Sequence, residues 1–484
     1  VDILESSELT APPAELIIQD SSVSGNVTEG DEPMRGGGLY VETGGIELID
    51  SNIDDNRAGP LVGVADASGG GVYFEEQGVI TQTSDLTMTT SSINGNIARK
   101  EGGGIYWRKA GELNVEISSI DENEAAASGG AVFSAGADLT LSESSVSGNT
   151  GLVGAGIRIV TFFDVPGGSL SVEQSTIDGN AASSFGSGIA VDADGFTLPI
   201  LVENSTISGN SAAVTGGGIL TRFGGELLLD HATIADNSAP TGANLSLLIG
   251  GVSVGSLGTW ESRASIIALS DGGDNCALDG GSPTSNRFNF ADDLSCNLGV
   301  DDVQSMVDPE LGPLADNGGS TDTLLPAPGS PTAGLVPAGS CLLAVDQRNS
   351  ARPQGPDCDA GAVEIIEASA LVSPIVGTPG DDFLVGTPAD DVIIGMGGDD
   401  VMLGMGGNDV LEGGTGHDLM FGGPGDDLLK GQGGRDILVG EDGDDDLRGG
   451  RGRDLLLGGR GFDLLNGGGS RDICVPSGGN AVDC

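Results

Sequence analysis

The sequence predicts an all-β chain, a parallel β-helix followed by a C-terminal parallel β-roll. Three observations carry that expectation. Aspartate recurs every nine residues from 382 to 472, asparagine closes a looser repeat of 26–40 residues before it, and 86 glycines accompany 4% aromatic residues. Glycine at that density suits stacked, turn-rich strands and leaves no 3.6-residue apolar stripe for amphipathic helices.

Residues 1–270 carry the looser repeat. SSVSGN (21–26), SNIDDN (51–56), SSINGN (91–96), SSIDEN (118–123), SSVSGN (144–149), STIDGN (175–180), STISGN (205–210) and ATIADN (232–237) share one pattern. Between them come small-residue clusters that run into an apolar residue, such as GGGL at 36, GGGV at 69 and GGGI at 102. A unit of that length with short alternating strands matches one coil of a parallel β-helix. Coils stack about 4.8 Å apart, so Asn26, Asn56, Asn96, Asn123, Asn149, Asn180, Asn210 and Asn237 are expected to form a hydrogen-bonded amide ladder rather than a binding site. The longer stretches Pro60–Ser68 and Phe162–Gly168 are expected to form loops on one side of the rod.

This region resembles the right-handed parallel β-helices of the pectate-lyase-like superfamily. Residues 271–366 add a narrower likeness. Asp308-Pro309, Asp316-Asn317-Gly318-Gly319, Gly329-Ser330-Pro331, Asp346-Gln347-Arg348, Arg352-Pro353 and Cys358-Asp359-Ala360-Gly361-Ala362 resemble the C-terminal end of the choice-of-anchor Q group of bacterial surface proteins. Thr332-Ala333 departs from that pattern. The segment is expected to cap the open end of the β-helix, whose strand edge would otherwise invite association, with Arg348 and Arg352 paired to carboxylates such as Asp346 or Asp359.

A linker, 367–376, leads into residues 377–475, eleven nonapeptides without insertion. GGTGHDLMF from Gly413 and GGPGDDLLK from Gly422 show the pattern best: Gly-Gly-x-Gly-x-Asp-x-apolar-x. A six-residue turn and a three-residue strand fill nine positions, so two repeats complete one coil. Leu384, Ile393, Met402, Leu411, Met420, Leu429, Leu438, Leu447, Leu456 and Leu465 form the apolar rung. Carboxylates and carbonyls of stacked turns then converge, which suits a hard divalent cation. The array resembles the hemolysin-type calcium-binding, or RTX, repeats. By that resemblance Asp382, Asp391, Asp400, Asp409, Asp418, Asp427, Asp436, Asp445, Asp454, Asp463 and Asp472 supply carboxylate ligands for several Ca2+ ions. Backbone carbonyls of Gly395, Gly404, Gly413, Gly422, Gly431, Gly440, Gly449 and Gly458 complete the sites, with at most about nine between turns. The second position departs from glycine at Thr378, Thr387, Met396, Met405, Gln432 and Glu441, and the fourth at Ala389 and Ser470, so sites there are expected to be weaker or empty. Residues 476–484 form a C-terminal cap.

Formal net charge is −53, from 72 acidic and 19 basic residues. Residues 377–475 hold 20 acidic and 7 basic side chains, so −40 lies elsewhere and acidity belongs to the whole surface. That balance argues against nucleic acid and anionic membranes as partners. The longest uncharged run, Ser238–Trp260, is too glycine-rich and polar for a membrane span. Six cysteines fall into local pairs, Cys276 and Cys296, Cys341 and Cys358, Cys474 and Cys484. Locality favours these disulfides among the fifteen connectivities for three bridges, and bridges imply an oxidising compartment. The expectation is a secreted, possibly surface-associated protein whose N-terminal signal has been removed.

Candidates for catalysis are few. Alginate epimerases are similar in joining a parallel β-helix to RTX modules, but their Asp-Pro-His motif is missing. Proton abstraction beside a sugar carboxylate needs a base and a neutralising cation. His231 is the only histidine before the roll, and it sits in the ladder phrase. Tyr40, Tyr73 and Tyr106 follow glycine clusters and are expected to stack on one face. Tyr106-Trp107-Arg108-Lys109 is expected to be an exposed turn, with an acidic glycan as its alternative partner. His417 holds a variable, solvated turn position. Together these features point to a calcium-binding protein whose roll folds on Ca2+, its β-helix a scaffold for adhesion or polysaccharide binding. The alternative is a polysaccharide lyase, C5-epimerase or hydrolase acting in the β-helix groove.

Overall fold

A computed structural model describes residues 2–3, 15–28, 34–42, 44–59, 67–75, 84–162, 168–194, 196–248, 259–278, 284–285, 287–299, 301–327, 330–365, 375–387, 391–469, 472–475 and 480–482. The chain is all-β. Its one helical element among these residues is the short 3₁₀ turn Ala338–Ser340. It forms two compact units, residues 1–365 and 366–484.

In the first unit the stacked coils contribute parallel strands to three main sheets. The largest sheet has two arms. Val72, Ile105, Val132, Ile157, Ile189, Ile219 and Leu245 are register partners along one arm. Ile46, Leu86, Leu113, Leu139, Leu170, Ile200, Leu227 and Trp260 pair along the other. Strands Ile105–Glu116 and Val132–Ser142 run through both arms. The second sheet aligns Val146, Ile177, Ile207, Ile234 and Ile267, and all these inward rows meet in one buried core. Each coil repeats its neighbour's backbone, whatever residue stands at the corner. Asp50, Thr90, Ile117, Glu143, Gln174, Asn204, His231 and Ala264 all turn one corner with φ between 43° and 49°.

The amide ladder runs through the corner after the second sheet. Asn180 shows its logic: its backbone N–H donates to Asn210 Oδ1 (3.1 Å), and its amide Nδ2 donates to Val146 O (2.9 Å) and to Asn210 Oδ1 (2.8 Å). The ladder continues beyond the eight phrase-closing asparagines. Asn237 donates to Asn244 Oδ1 (2.9 Å), which in turn donates to Asn275 Oδ1 (2.7 Å). A serine ladder precedes it, in which Ser51, Ser91, Ser118, Ser144 and Ser175 each receive the N–H of the serine one coil earlier.

The two expected loops do not share a side. Pro60–Ser68 leaves between the third sheet and a glycine corner, whereas Phe162–Gly168 leaves between the arms of the first sheet. Their interiors lie outside the described residues.

The segment 308–365, part of the expected cap, runs back along the outside of the second sheet over several coils. Ser320 reaches Glu143, Thr176 Oγ1 donates to Asp322 O (2.6 Å), and Thr206 Oγ1 donates to Gln347 Oε1 (2.7 Å). Gln347 Nε2 donates to Thr176 Oγ1 (2.9 Å), Ala362 N–H to Thr233 Oγ1 (2.9 Å), and Gly361 N–H to Ala264 O (2.7 Å). The reason lies in the sheet's outer face. Its threonines offer hydroxyls to this segment, and Ile266 and Ala268 pack against Val336, Cys358 and Ala360. Disulfides Cys276–Cys296 and Cys341–Cys358 brace the region. Cys474 is also disulfide-bonded, and its expected partner Cys484 lies outside the described residues. So does most of the linker 367–376 and of the cap 476–484.

The second unit is the roll. Alternate repeats pair in parallel at a register of eighteen, building two facing sheets, for example Leu411↔Leu429↔Leu447 on one and Met402↔Met420↔Leu438 on the other. Ile393 through Leu465 are fully buried between them, and the end residue Leu384 is partly covered.

Candidate metal centres of the roll

The eighteen-residue register sorts the aspartates onto two edges. Asp382, Asp400, Asp418, Asp436, Asp454 and Asp472 follow one edge, while Asp391, Asp409, Asp427, Asp445 and Asp463 follow the other. From Asp400 to Asp472 each carboxylate does two things. Its Oδ1 accepts the backbone N–H of the aspartate one coil earlier: Asp400 from Asp382 (2.8 Å), Asp427 from Asp409 (2.7 Å), Asp454 from Asp436 (3.0 Å). Its Oδ2 turns inward beneath the first glycine of its own repeat. Oδ2 of Asp400, Asp418, Asp427, Asp436, Asp445, Asp454, Asp463 and Asp472 is buried without a hydrogen-bond donor.

Glycine carbonyls meet those oxygens. A Cβ at Gly395 would lie 2.3 Å from Asp400 Oδ2 and 2.6 Å from Gly413 O. At Gly440 the same point lies 2.1 Å from Asp445 Oδ2 and 2.4 Å from Gly458 O. Gly404 and Gly431 repeat the arrangement with the carbonyls of Gly422 and Gly449. Glycine is required there because the carboxylate occupies the side-chain space. Oxygen acceptors thus converge with no proton between them, a donor set that fits a hard divalent cation. Among the described residues no three His, Cys, Asp or Glu side chains form a metal cluster, so such a cation would draw its remaining ligands from backbone carbonyls.

The electrostatics agree with the geometry. Burial, then neighbouring carboxylates, pushes Asp427 and Asp436 up to about 7 and Asp445 to about 6, against the backbone hydrogen bonds that lower them. Residues just before the ligands are felt as well: Asp426 and Asp444 raise Asp445, whereas His417 lowers Asp418 and Asp436.

The departures from glycine have distinct consequences. Thr378 Oγ1 donates to Asp382 Oδ2 (2.9 Å) and Thr387 Oγ1 to Asp391 Oδ2 (3.0 Å). In the first two repeats a hydroxyl therefore satisfies the carboxylate oxygen, which the sequence pattern alone did not reveal. Met396, Met405, Gln432 and Glu441 keep the left-handed backbone, with φ of 78°, 88°, 68° and 85°, and bear its strain. Gly467 O also reaches a carboxylate, beside Asp454 Oδ2, and was absent from the expected carbonyl set. Ala389 and Ser470 lie outside the described residues.

The β-helix candidates are built into the scaffold. Tyr40, Tyr73, Tyr106 and Phe133 stack along one arm with centroids 5.6, 4.7 and 5.2 Å apart. Burial raises the Tyr73 and Tyr106 hydroxyls well above the usual tyrosine range. Tyr106 to Lys109 is not the expected exposed turn. It lies in a strand, where Trp107 points into the core against Phe74 (4.2 Å) and Lys109 is buried too. His231 is buried at a coil corner with Nδ1 against Asp230 (2.8 Å), and burial lowers its pKa. Arg348 forks onto Asp346 (2.9 and 2.8 Å), as expected. Arg352 pairs with Glu364 (2.8 Å) and donates to the carbonyls of Asp359 (3.1 Å) and Gly361 (2.7 Å). His417 is exposed.

Two family descriptions match this chain. One, "Right handed beta helix region", covers residues 13–239. The other, "RTX calcium-binding nonapeptide repeat (4 copies)", matches 376–411, 412–447, 421–456 and 448–482. The chain therefore carries a right-handed β-helix region and RTX calcium-binding repeats. No curated protein matches it. Among solved structures, a PL6 family alginate lyase, AlyGC, is similar at 12% identity over 96% of this chain and 77% of its own, with a TM-score of 0.21. A mutant of the same lyase gives the same TM-score. Likeness at that level carries no argument about function.

Proposed function

We propose that this is a secreted or cell-surface calcium-binding protein whose roll folds as calcium binds, with the β-helix as a scaffold for adhesion or glycan binding. One observation supports the first part above all: buried aspartate oxygens without donors, repeated coil after coil beside glycine carbonyls. Bound calcium supplies the two positive charges those oxygens lack. Without that charge the carboxylates repel one another, and a glycine-rich chain gains much entropy by staying expanded. Binding to the folded state alone then pulls the roll closed by mass action. Disulfides fit an oxidising exterior, where calcium is plentiful enough for module affinities of about 10⁻⁴–10⁻³ M.

The scaffold reading rests on what the β-helix does with its reactive side chains. His231, Tyr73, Tyr106 and Lys109, which a lyase or epimerase would need in contact with substrate, are all buried. Limited proteolysis of the full chain tests the calcium reading. At about 10 mM calcium, well above module affinities, residues 377–475 should resist cleavage that proceeds in chelator and in magnesium. Equal cleavage in all three would refute it. Incubation with acidic polysaccharides should yield retention on the glycan without new unsaturated or reducing ends, whereas such ends would favour the lyase or hydrolase alternative.

A further inference from the structure

We infer that the two edges of the roll bind calcium unequally, and that the residue before each ligand aspartate sets the order in which sites fill. This rests on the calcium reading above and deepens it.

The same register that aligns the ligands aligns their predecessors. On one edge the column reads Asp381, Asp399, His417, Arg435, Arg453, and on the other Asn408, Asp426, Asp444, Phe462. These columns are fixed by backbone bonds. His417 N–H donates to Asp399 Oδ1 (2.8 Å) and Arg435 N–H to His417 Nδ1 (2.9 Å). Across the roll, Asp444 N–H donates to Asp426 Oδ1 (2.8 Å) and Phe462 N–H to Asp444 Oδ1 (2.7 Å).

Among the described members of these columns, positive charge is confined to the C-terminal part of one edge, whose first members, Asp381 and Asp399, are acidic. Arg435 and Arg453 are exposed and, among the described residues, join no ion pair. Their neighbours Lys430, Arg448 and Arg460 are paired, to Glu412, Asp446 and Asp442. Arg435 and Arg453, together with His417, line a groove of about 370 Å³ that also contains Asp436 and Asp454. Uncompensated positive charge thus stands beside the ligand aspartates of one edge, and Asp426 and Asp444 beside those of the other. Exchanging carboxylate for guanidinium within roughly 8 Å of a divalent ion, partly screened, changes its affinity by about tenfold. Sites bounded by Asp427 and Asp445 fill first. Those bounded by Asp436 and Asp454 fill last, so the roll closes in two calcium steps.

Calorimetric titration of the chelator-stripped full chain at low salt should resolve a tight and a weak class of ions about tenfold apart. Arg435→Asp with Arg453→Asp should move the weak ions into the tight class, and the glutamine pair should fall between, separating charge from loss of the side chain. Asp426→Arg with Asp444→Arg should weaken the other edge, and added NaCl should narrow the gap. A single class in the parent, or a weak class indifferent to Arg435→Asp/Arg453→Asp, would overturn the inference while leaving calcium uptake intact. Absence of uptake would overturn the function proposed above as well.

Discussion

A single aspartate shows how this scaffold handles charge. Asp121 Oδ1 accepts the N–H of Ser147 (2.8 Å), and burial pushes its pKa up to about 6 despite that bond. One coil earlier Asn94 does the same work uncharged, accepting the N–H of Asp121 (2.8 Å). A carboxyl whose folded pKa is raised favours the fold when protonated. That contribution is complete below about pH 4 and is lost as pH rises through about 6. Asp121→Asn should therefore leave stability near pH 4 unchanged and raise it by about 1–3 kcal/mol at pH 8, measured by urea unfolding. Equal effects at both pH values would show that the carboxylate is not held against a burial cost. The Ser119 and Ser145 hydroxyls beside it, with the Ser147 N–H, explain why such a residue is tolerated.

At the scale of the element, the ladder is what the sequence made most legible. One residue type returning at one phase reports a backbone corner, and Asn180 sits where its phrase placed it. Removing that amide strands the Asn149 N–H and the Val146 carbonyl, which bond it at 3.0 and 2.9 Å. Asn180→Ala should lower local stability by about 3–5 kcal/mol, seen as faster hydrogen exchange at the Asn149 amide, whereas exposed Asn26→Ala should cost under about 1 kcal/mol. Comparable exchange in the two variants would refute the ladder's role. Other contacts left no periodic trace. Gln347 meets Thr176 and Thr206 across 171 and 141 residues, so the segment expected as an end cap also braces the rod from the side. Trp107 and Lys109 misled because composition suggested a sticky turn, while strand alternation buried Trp107 in the core. In the roll, the nine-residue beat located the aspartates that stack along the two edges. It could not show that Thr378 and Thr387 hydroxyls satisfy the first two carboxylates, because that depends on the turn's geometry.

For the whole molecule, the dominant quantity is 72 acidic side chains against 19 basic ones. Several of the few cations are used inside the fold, as in the fully buried Arg352–Glu364 pair. Carboxylates therefore outnumber cations on the surface, and self-repulsion works against the compact state. Salt screens repulsions and surface ion pairs alike, but surface pairs contribute about 0–1 kcal/mol each and are outnumbered here. Buried pairs are screened much less. In chelator, with the roll's calcium removed, melting of the β-helix should rise by several degrees as NaCl goes from about 0.05 to 1 M, over which the screening length falls from above 10 Å to about 3 Å. KCl should act equally, since screening does not depend on ion identity. A melting temperature that fell with salt would mean that surface ion pairs outweigh repulsion. The acidic surface would then be a property the β-helix tolerates at no cost, and the roll alone would depend on cations.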